Sequence, residues 1–435
     1  MRFQGRGYRP RRAYALGGRN WRGGRSGSSS VPLSPPPPLG EVLATINHDD
    51  IEDSIPQPNQ PAQITNTQYL TSYNWISGED GPEIIVPGEP PEWTPLSKPI
   101  QLRGDSGVYF RDLNQARNPT YPLEPMVQAI LIDKPEFCVD DLDIVACGST
   151  LGNLLRFVRG NAPTFRMLAE VVGNTVFFIR RQNSPKETIP DIRGFGHAFP
   201  EAYTTWGKDV GRSESHQRLI TFEFASLNCI VRFESDGYLP DLLPDDLKTH
   251  KVSIPSTGDS EPENLLSSLR SATISTIPSS EMAQDFKALQ ASRRGRHIPQ
   301  CAVFDLKTRS ARKADVDTLS DEMARLWIRQ IPNFVLAYHN SGRFNDIRVQ
   351  DVRDKIKEWE EIEQPVLQRL AALLQMVISF ARSAEDSKIE LEHDENEAQG
   401  VLSLREPGGD VGSVLPPALA ENFTSNGHSG SDLGS

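Results

Sequence analysis

The chain has 435 residues, and its 34 prolines, 32 glycines and mean hydropathy of -0.45 indicate that part of it stays outside a packed core. No stretch approaches the roughly 20 consecutive apolar residues of a membrane-spanning helix, so we expect no membrane partner. The four cysteines form no C-x-x-C pair, which argues against a zinc site and a disulfide framework and favours the nucleus or cytoplasm as the compartment.

The first 40 residues form a basic arm on an otherwise acidic chain. They carry eight of the 46 basic residues and none of the 58 acidic ones, which leaves 38 basic against 58 acidic residues elsewhere. Arginines separated by glycines and aromatic residues do not fold alone, but they pair with phosphates and stack on bases. We therefore predict a disordered arm over 1–65 that binds RNA, with a solvated terminus as the alternative. The arginines concerned are Arg2, Arg6, Arg9, Arg11, Arg12, Arg19, Arg22 and Arg25.

A single ordered domain is predicted over residues 66–382. In its first half, 164–181 reads as an apolar segment, a turn at Gly173-Asn174 and a strand, and 218–224 and 229–234 read as two strands joined by a short turn. The composition becomes polar and Ser-rich over 244–300, which predicts an insertion or loop.

The second half of the domain alternates strands with helices. CAVFDLKTRS from residue 301 and NFVLAYHN from residue 333 predict strands, 321–330 predicts a helix, and apolar residues at helical spacing predict an amphipathic helix over 364–382. The acidic and then Gly/Ser-rich stretch 383–435 is predicted to be disordered. The pattern indicates an α/β (α+β) fold with a mixed central sheet flanked by helices and with disordered termini.

One acidic motif, Asp49-Asp50-x-x-Asp53, resembles the first aspartate-rich motif of trans-prenyl (geranylgeranyl) diphosphate synthases. Those enzymes are all-helical and carry a second such motif, whereas this chain is rich in strand patterns and has no second D-D-x-x-D. Prolines also follow the motif and block a longer helix. A solvated acidic loop is therefore the favoured interpretation, and the synthase is kept as an alternative.

A second acidic set lies at predicted strand ends. Glu234 and Asp236 follow one strand, and Asp305 and Lys307 lie on another, so each pair can face one side of its strand. Three carboxylates and a lysine in one pocket would suit Mg²⁺ or Mn²⁺. This arrangement is typical of PD-(D/E)xK nucleases, in which the metal activates water and the lysine assists the attack.

The order of further motifs resembles the decapping nuclease family, DXO and its fungal relatives. These motifs are a strand ending in Arg180-Arg181, GFGHAFPE, RFESD, FDLKT and a helix leading to IPNFVLAYHNSGRF. The resemblance covers about residues 100–360. It implies a PD-(D/E)xK nuclease-like fold and hydrolysis of phosphodiester or pyrophosphate bonds at RNA 5′ ends.

The same resemblance implies roles for particular residues. Lys307, Asp236 and Asp305 would be catalytic, Arg180 and Arg325 would contact RNA, and the metal ligands would be Glu201, Glu234, Asp236, Asp305 and the main-chain carbonyl of Leu306. Two departures from the family pattern affect this set. Asp305 replaces a longer glutamate, and Pro200 interrupts the segment before Glu201, so Glu214 and Glu187 are substitutes for Glu201.

The partners expected are RNA and, by the resemblance, a 5′-to-3′ exoribonuclease. A catalytically inactive RNA-binding partner of such an enzyme is the main alternative function. His197, His216 and His339 have no metal-ligand spacing and are interpreted as structural or RNA-contacting residues. Ser149 lacks a G-x-S-x-G context, so its segment is interpreted as the start of a helix.

Overall fold

The computed structural model describes residues 34–55, 61–78, 81–190, 192–248, 288–396 and 400–424. The eight arginines of the arm and residues 249–287 of the expected insertion lie outside this part of the chain, so both remain predictions. Within the described ranges, no helix is long and apolar enough to cross a membrane.

The strands of the described chain form two sheets. They are β1 Val42–Asn47, β2 Ile64–Ile76, β3 Glu83–Ile85, β4 Glu92–Trp93, β5 Ile144–Cys147, β6 Phe165–Val172, β7 Thr175–Arg180, β8 Thr204–Thr205, β9 Ser213–Phe224, β10 Leu227–Glu234, β11 Gly237–Tyr238, β12 Gln290–Ser292, β13 Val303–Ser310, β14 Asn333–Asn340, β15 Arg343–Asp351, β16 Lys388–His393 and β17 Val401–Arg405.

Helices connect and cover the strands. They are α1 His48–Asp53, α2 Leu113–Arg117, α3 Glu124–Asp133, α4 Gly148–Val158, α5 Ala198–Tyr203, α6 Asp245–Lys248, α7 Thr318–Arg329, α8 Arg353–Ile362, α9 Gln364–Ser383 and α10 Pro417–Thr424.

In the described part of the chain, the larger sheet has eleven strands in the order β1-β17-β16-β6-β7-β5-β10-β9-β2-β3-β12. The smaller sheet has six, in the order β15-β14-β13-β11-β4-β8. Both sheets combine parallel pairs, such as β5 with β10 and β13 with β14, with antiparallel ones. The predicted mixed α/β fold is confirmed, with two sheets in place of one central sheet.

Local patterns predicted the central hairpins well. β6 and β7 are joined at Gly173, which has a φ of +61°, and β9 and β10 are joined at Ala225-Ser226. Both residues of the second turn have positive φ, as a two-residue turn between twisted strands requires. The hairpin places the end of β10 where the candidate site lies.

The larger sheet is covered on both faces because its strands alternate their buried side chains. Ile144 and Phe178 pack in one cluster with apolar residues of α4, α7 and α9. Val145 and Phe177, their neighbours along the strands, pack in the other cluster with residues of α3 and α10. Each strand face therefore has its own helical layer.

Order at the ends of the domain extends further than predicted. β1 and α1 precede residue 66, and β16, β17 and α10 follow residue 383, so the prediction of disorder is wrong for these segments. The strand β16 was not predicted because a charged residue, Glu390, lies between Ile389 and Leu391. All three residues are buried, and Glu390 pairs with Arg166 of β6. Of the polar stretch 244–300, residues 290–292 pair with β3 as the edge strand β12.

The Asp49-Asp50-x-x-Asp53 motif forms the short helix α1 and not a loop. The side chain of Asn47 accepts hydrogen bonds from the amides of Asp49 and Asp50, and the amide of Asn47 donates to Asp50 Oδ2 at 2.8 Å. Such a capping box explains acidic residues in the first turn without a ligand. The two mixed sheets differ from the all-helical fold expected of a prenyl synthase, so the fold gives that alternative no support.

Candidate active site

The candidate site lies where the chain passes from one sheet to the other. β10 ends at Glu234 in the larger sheet, and β11 begins at Gly237 in the smaller one. β11 runs antiparallel to β13 with Gly237 opposite Phe304, and continuing this register brings Asp236 beside Asp305. The amide of Leu306 donates a hydrogen bond to Asp236 Oδ2 at 2.6 Å, which fixes that carboxyl group against β13.

An open cleft of about 790 Å³ runs along this junction. Glu201, Glu234, Asp236 and Arg180 line it, so four of the predicted site residues, from three parts of the chain, come together. Glu214, a substitute for Glu201, also lines the cleft and forms an ion pair with Arg117.

Other predicted residues lie beside or below this cleft. Glu187 pairs with Arg111 at 2.8 Å and does not line the cleft. Asp305 is almost fully buried, with 1% of its surface exposed. Lys307 forms an ion pair with Glu322, in which its Nζ lies 2.9 Å from Oε1.

Two arginines of α7 neutralise Asp305. Its Oδ2 lies 3.3 Å from Nε of Arg325 and 3.2 Å from Nη1 of Arg329. The Nε of Arg325 also lies 3.0 Å from Oε2 of Glu322. Glu322, Arg325 and Arg329 follow each other at the three- and four-residue spacing that puts side chains on one helical face. The sequence analysis did not include Glu322 and Arg329 in the site. Their spacing from Arg325 on one helical face was the signal that could have identified them.

The pKa values of the buried carboxyl groups follow from these contacts. Burial raises the pKa of Asp236 well above its usual value, and the neighbouring charge of Asp305 adds to the effect. Burial also acts on Asp305, but the guanidinium groups of Arg325 and Arg329 outweigh it and lower the pKa. The pKa values of these two neighbouring carboxyl groups are therefore shifted in opposite directions, upward for Asp236 and downward for Asp305.

Glu234 has a side chain that solvent reaches from the open cleft, yet protein atoms surround it on the other sides. The resulting loss of hydration raises the pKa of its carboxyl group, and the nearby charge of Arg329 partly offsets that rise. Glu234 is thus the carboxyl group of the strand-end set that is most accessible to a ligand.

As arranged, these carboxyl groups do not fit a resident metal ion. Their oxygen chemistry suits Mg²⁺ or Mn²⁺. However, Asp305 already holds two guanidinium groups, and Asp236 is engaged by the amide of Leu306. Among the residues that the structure describes, no group of three or more His, Cys, Asp or Glu is arranged to hold a metal.

Basic and aromatic side chains complete the walls of the cleft. Arg232 pairs with Asp112 at 3.7 Å, whereas Arg180 forms no ion pair with any described residue and donates a hydrogen bond to the carbonyl of Arg111 at 3.3 Å. Tyr109 stacks on His197 with ring centroids 3.5 Å apart and planes 8° apart. The cleft therefore offers both phosphate-binding cations and a flat aromatic surface.

His216 and Ser149 also line the cleft, whereas His339 lies outside it, and contacts within the fold hold all three side chains. His216 is buried, with Nδ1 2.8 Å from Asn74 Oδ1, and burial lowers its pKa well below the usual value. His339 packs against Phe195. Ser149 lies in the first turn of α4, where its Oγ contacts Cys147 Sγ at 3.0 Å, so the segment does begin a helix.

Solved structures of Rai1 proteins have a fold similar to that of this chain. Rai1 of Scheffersomyces stipitis, solved in complex with (3′-NADP)+ and calcium ion, is 11% identical with a TM-score of 0.53, and the match covers 89% of this chain and 99% of that one. S. pombe Rai1 in complex with 3′-FADP is 11% identical with a TM-score of 0.50, covering 83% and 98%. The resemblance to the decapping nuclease family that the motifs indicated is thus confirmed for the fold.

The sequence itself matches the family described as a domain of unknown function, DUF8563, over residues 42–407. The chain belongs to that family. No curated protein sequence matches it.

Proposed function

We propose that the chain binds RNA 5′ ends in the cleft and hydrolyses a phosphodiester or pyrophosphate bond there. The observation that carries the proposal is the meeting of Glu201, Glu234 and Asp236 with Arg180 in one cleft. Guanidinium groups bind phosphates in charge-assisted hydrogen bonds, and a carboxylate beside a bound phosphate can orient the attacking water. Glu234, which is open to the cleft, is suited to that second role.

Nucleotide ligands on the same fold support the proposal. Rai1 of S. pombe was solved with 3′-FADP and Rai1 of S. stipitis with (3′-NADP)+ and calcium. The sequence predicts Mg²⁺ or Mn²⁺ as cofactor for this chain. Since Asp305 is held by two arginines, no step of the reaction is assigned to a metal.

A second candidate function is RNA binding without hydrolysis, as a partner of a 5′-to-3′ exoribonuclease in the nucleus or cytoplasm. It is favoured by the ion pairs of two proposed catalytic residues: Asp305 is bound to Arg325 and Arg329, and Lys307 is bound to Glu322. A lysine in such a pair must leave it before it can approach a nucleophile.

A product assay separates the two candidates. Pure protein is incubated with RNAs of one sequence that carry a 5′-triphosphate, a 5′-monophosphate or a cap, each with Mg²⁺, Mn²⁺ or chelator, and the products are identified by mass. Hydrolysis predicts release of pyrophosphate, a cap fragment or nucleotides from at least one RNA. RNA binding without product under every condition would establish the second candidate instead.

A further inference from the structure

Asp305 is occupied by the protein's own cations. Its carboxylate is almost fully buried, and one oxygen, Oδ2, lies within 3.3 Å of both Arg325 and Arg329. A divalent ion bound to that oxygen would face two positive groups at close range, in surroundings where water screens charge poorly. The arrangement therefore opposes a metal at Asp305.

Both arginines are held in place by further contacts. Arg325 is shared between Asp305 and Glu322, which also binds Lys307. Arg309 also lies 3.7 Å from Glu322, so four cations surround Asp305 and Glu322. The charges of these two carboxylates are thus already neutralised by the chain's own side chains, which leaves none for a divalent ion.

Arg329 reaches from the end of α7 to the cleft. Its Nη1 also lies 3.4 Å from the carbonyl of Glu234, and its guanidinium lies over the ring of Phe233 at 5.9 Å. It passes across Gly148, where an added Cβ would come within 3.3 Å of Arg329 Nε. The glycine at the start of α4 thus leaves room for this side chain.

Arg329 keeps donors for a ligand. A guanidinium has five N–H donors, and the bonds to Asp305 and Glu234 involve only one nitrogen of Arg329. Its side chain is 18% exposed and lines the same cleft as Arg180. A phosphate in the cleft can therefore bind Arg329 while Asp305 stays neutralised.

We propose that Arg325 and Arg329 take the place of a divalent cation at Asp305 and that Arg329 binds the 5′-phosphate of RNA directly. Recognition of the 5′-phosphate then needs no metal. The inference rests on the proposed function, because it assumes that the RNA 5′ end enters this cleft. It replaces the resident metal expected from the sequence with residues of the chain itself.

The test measures binding of two fluorescent RNA pentamers of one sequence, with a 5′-monophosphate or a 5′-hydroxyl, by anisotropy in excess EDTA. We expect the full chain to bind the phosphorylated RNA about tenfold more tightly, the lower range for a charged hydrogen bond. Arg329→Gln should abolish this preference and leave binding of the 5′-hydroxyl RNA. The matched control is Arg353→Gln, which changes an exposed arginine of α8 outside the cleft and should keep the preference.

A second measurement on the unsubstituted chain covers the case in which Arg329→Gln fails to fold. Mn²⁺ is titrated into the chain without RNA, and free Mn²⁺ is followed by electron paramagnetic resonance. We expect no stoichiometric binding. One tightly bound Mn²⁺ per chain that is lost in Asp305→Asn would overturn the inference.

The binding assay also separates failure of the inference from failure of the proposed function. A 5′-phosphate preference that appears only after Mn²⁺ is added overturns the inference and leaves the RNA-binding cleft in place. A 5′-phosphate preference that persists in a folded Arg329→Gln chain also overturns the inference and leaves the RNA-binding cleft in place. No binding of either RNA, with or without metal, overturns both.

Discussion

Replacing Asp305 by asparagine should destabilise the metal-free protein. The substitution keeps the size of the side chain but removes the charge that faces Arg325 and Arg329. Removing one partner of a buried ion pair costs about 3 to 5 kcal/mol, because the remaining charge stays buried. Here the arginines are 30% and 18% exposed and Arg325 keeps Glu322, so we expect a loss of roughly 2 to 3 kcal/mol.

The measurement is the free energy of unfolding in urea with EDTA, for the parent, Asp305→Asn and a control. Asp346→Asn is the matched control, since its ion pair with Arg348 is formed by side chains that are 45% and 46% exposed. Water screens the charges of such an exposed pair, so this variant should stay close to the parent.

If Asp305 were a metal ligand without ion pairs, the change in stability would have the opposite sign. If Asp305 were a free metal ligand in a cluster of like charges, removing its charge would relieve repulsion from Glu234 and Asp236 and stabilise the metal-free protein. An Asp305→Asn chain as stable as the parent, or more stable, would refute the ion pairs on which the reasoning depends.

Three further predictions address the arm, a buried histidine and the lysine. Deleting residues 1–40 should weaken RNA binding and flatten its salt dependence by about 0.7 for each lost arginine–phosphate contact, measured as the slope of log affinity against log salt. Because the pKa of His216 is lowered in the folded chain, only the unfolded chain gains this proton as pH falls below about 6.5. Stability should therefore fall below that pH by up to about 1.4 kcal/mol per unit, and urea titrations of His216→Gln should lack this contribution. Lys307→Ala should lower turnover about 10²- to 10³-fold in the product assay and leave RNA affinity unchanged.

The elements that were predicted best from the sequence are those whose formation depends on residues close to them in the chain. β6 with β7 and β9 with β10 are hairpins, and their alternation and turns are visible within about 20 residues. The strands at the end of the domain were missed because their stability depends on distant partners. Buried Glu390 is compatible with a strand only because Arg166, more than 200 positions away, lies beside it.

In the candidate site, too, features that depend on nearby residues were predicted and features that depend on distant contacts were not. Strand-end positions of Glu234, Asp236 and Asp305 were predicted because side chains two residues apart share a strand face. Which cation meets Asp305 could not be predicted from such spacing. It depends on how the end of α7 lies over β13, and that position is set by packing of Leu326 and its neighbours in the core.

The most direct test of the proposed function compares initial rates on the RNA 5′ end that the parent cleaves best. Glu234→Gln keeps the shape of the most accessible carboxyl group of the strand-end set but removes its charge, and Glu358→Gln makes the same change at an exposed position of α8 outside the cleft. Hydrolysis in this cleft predicts that Glu234→Gln loses two or more orders of magnitude in rate while Glu358→Gln stays within a few-fold of the parent. Equal rates for all three proteins would contradict catalysis in this cleft.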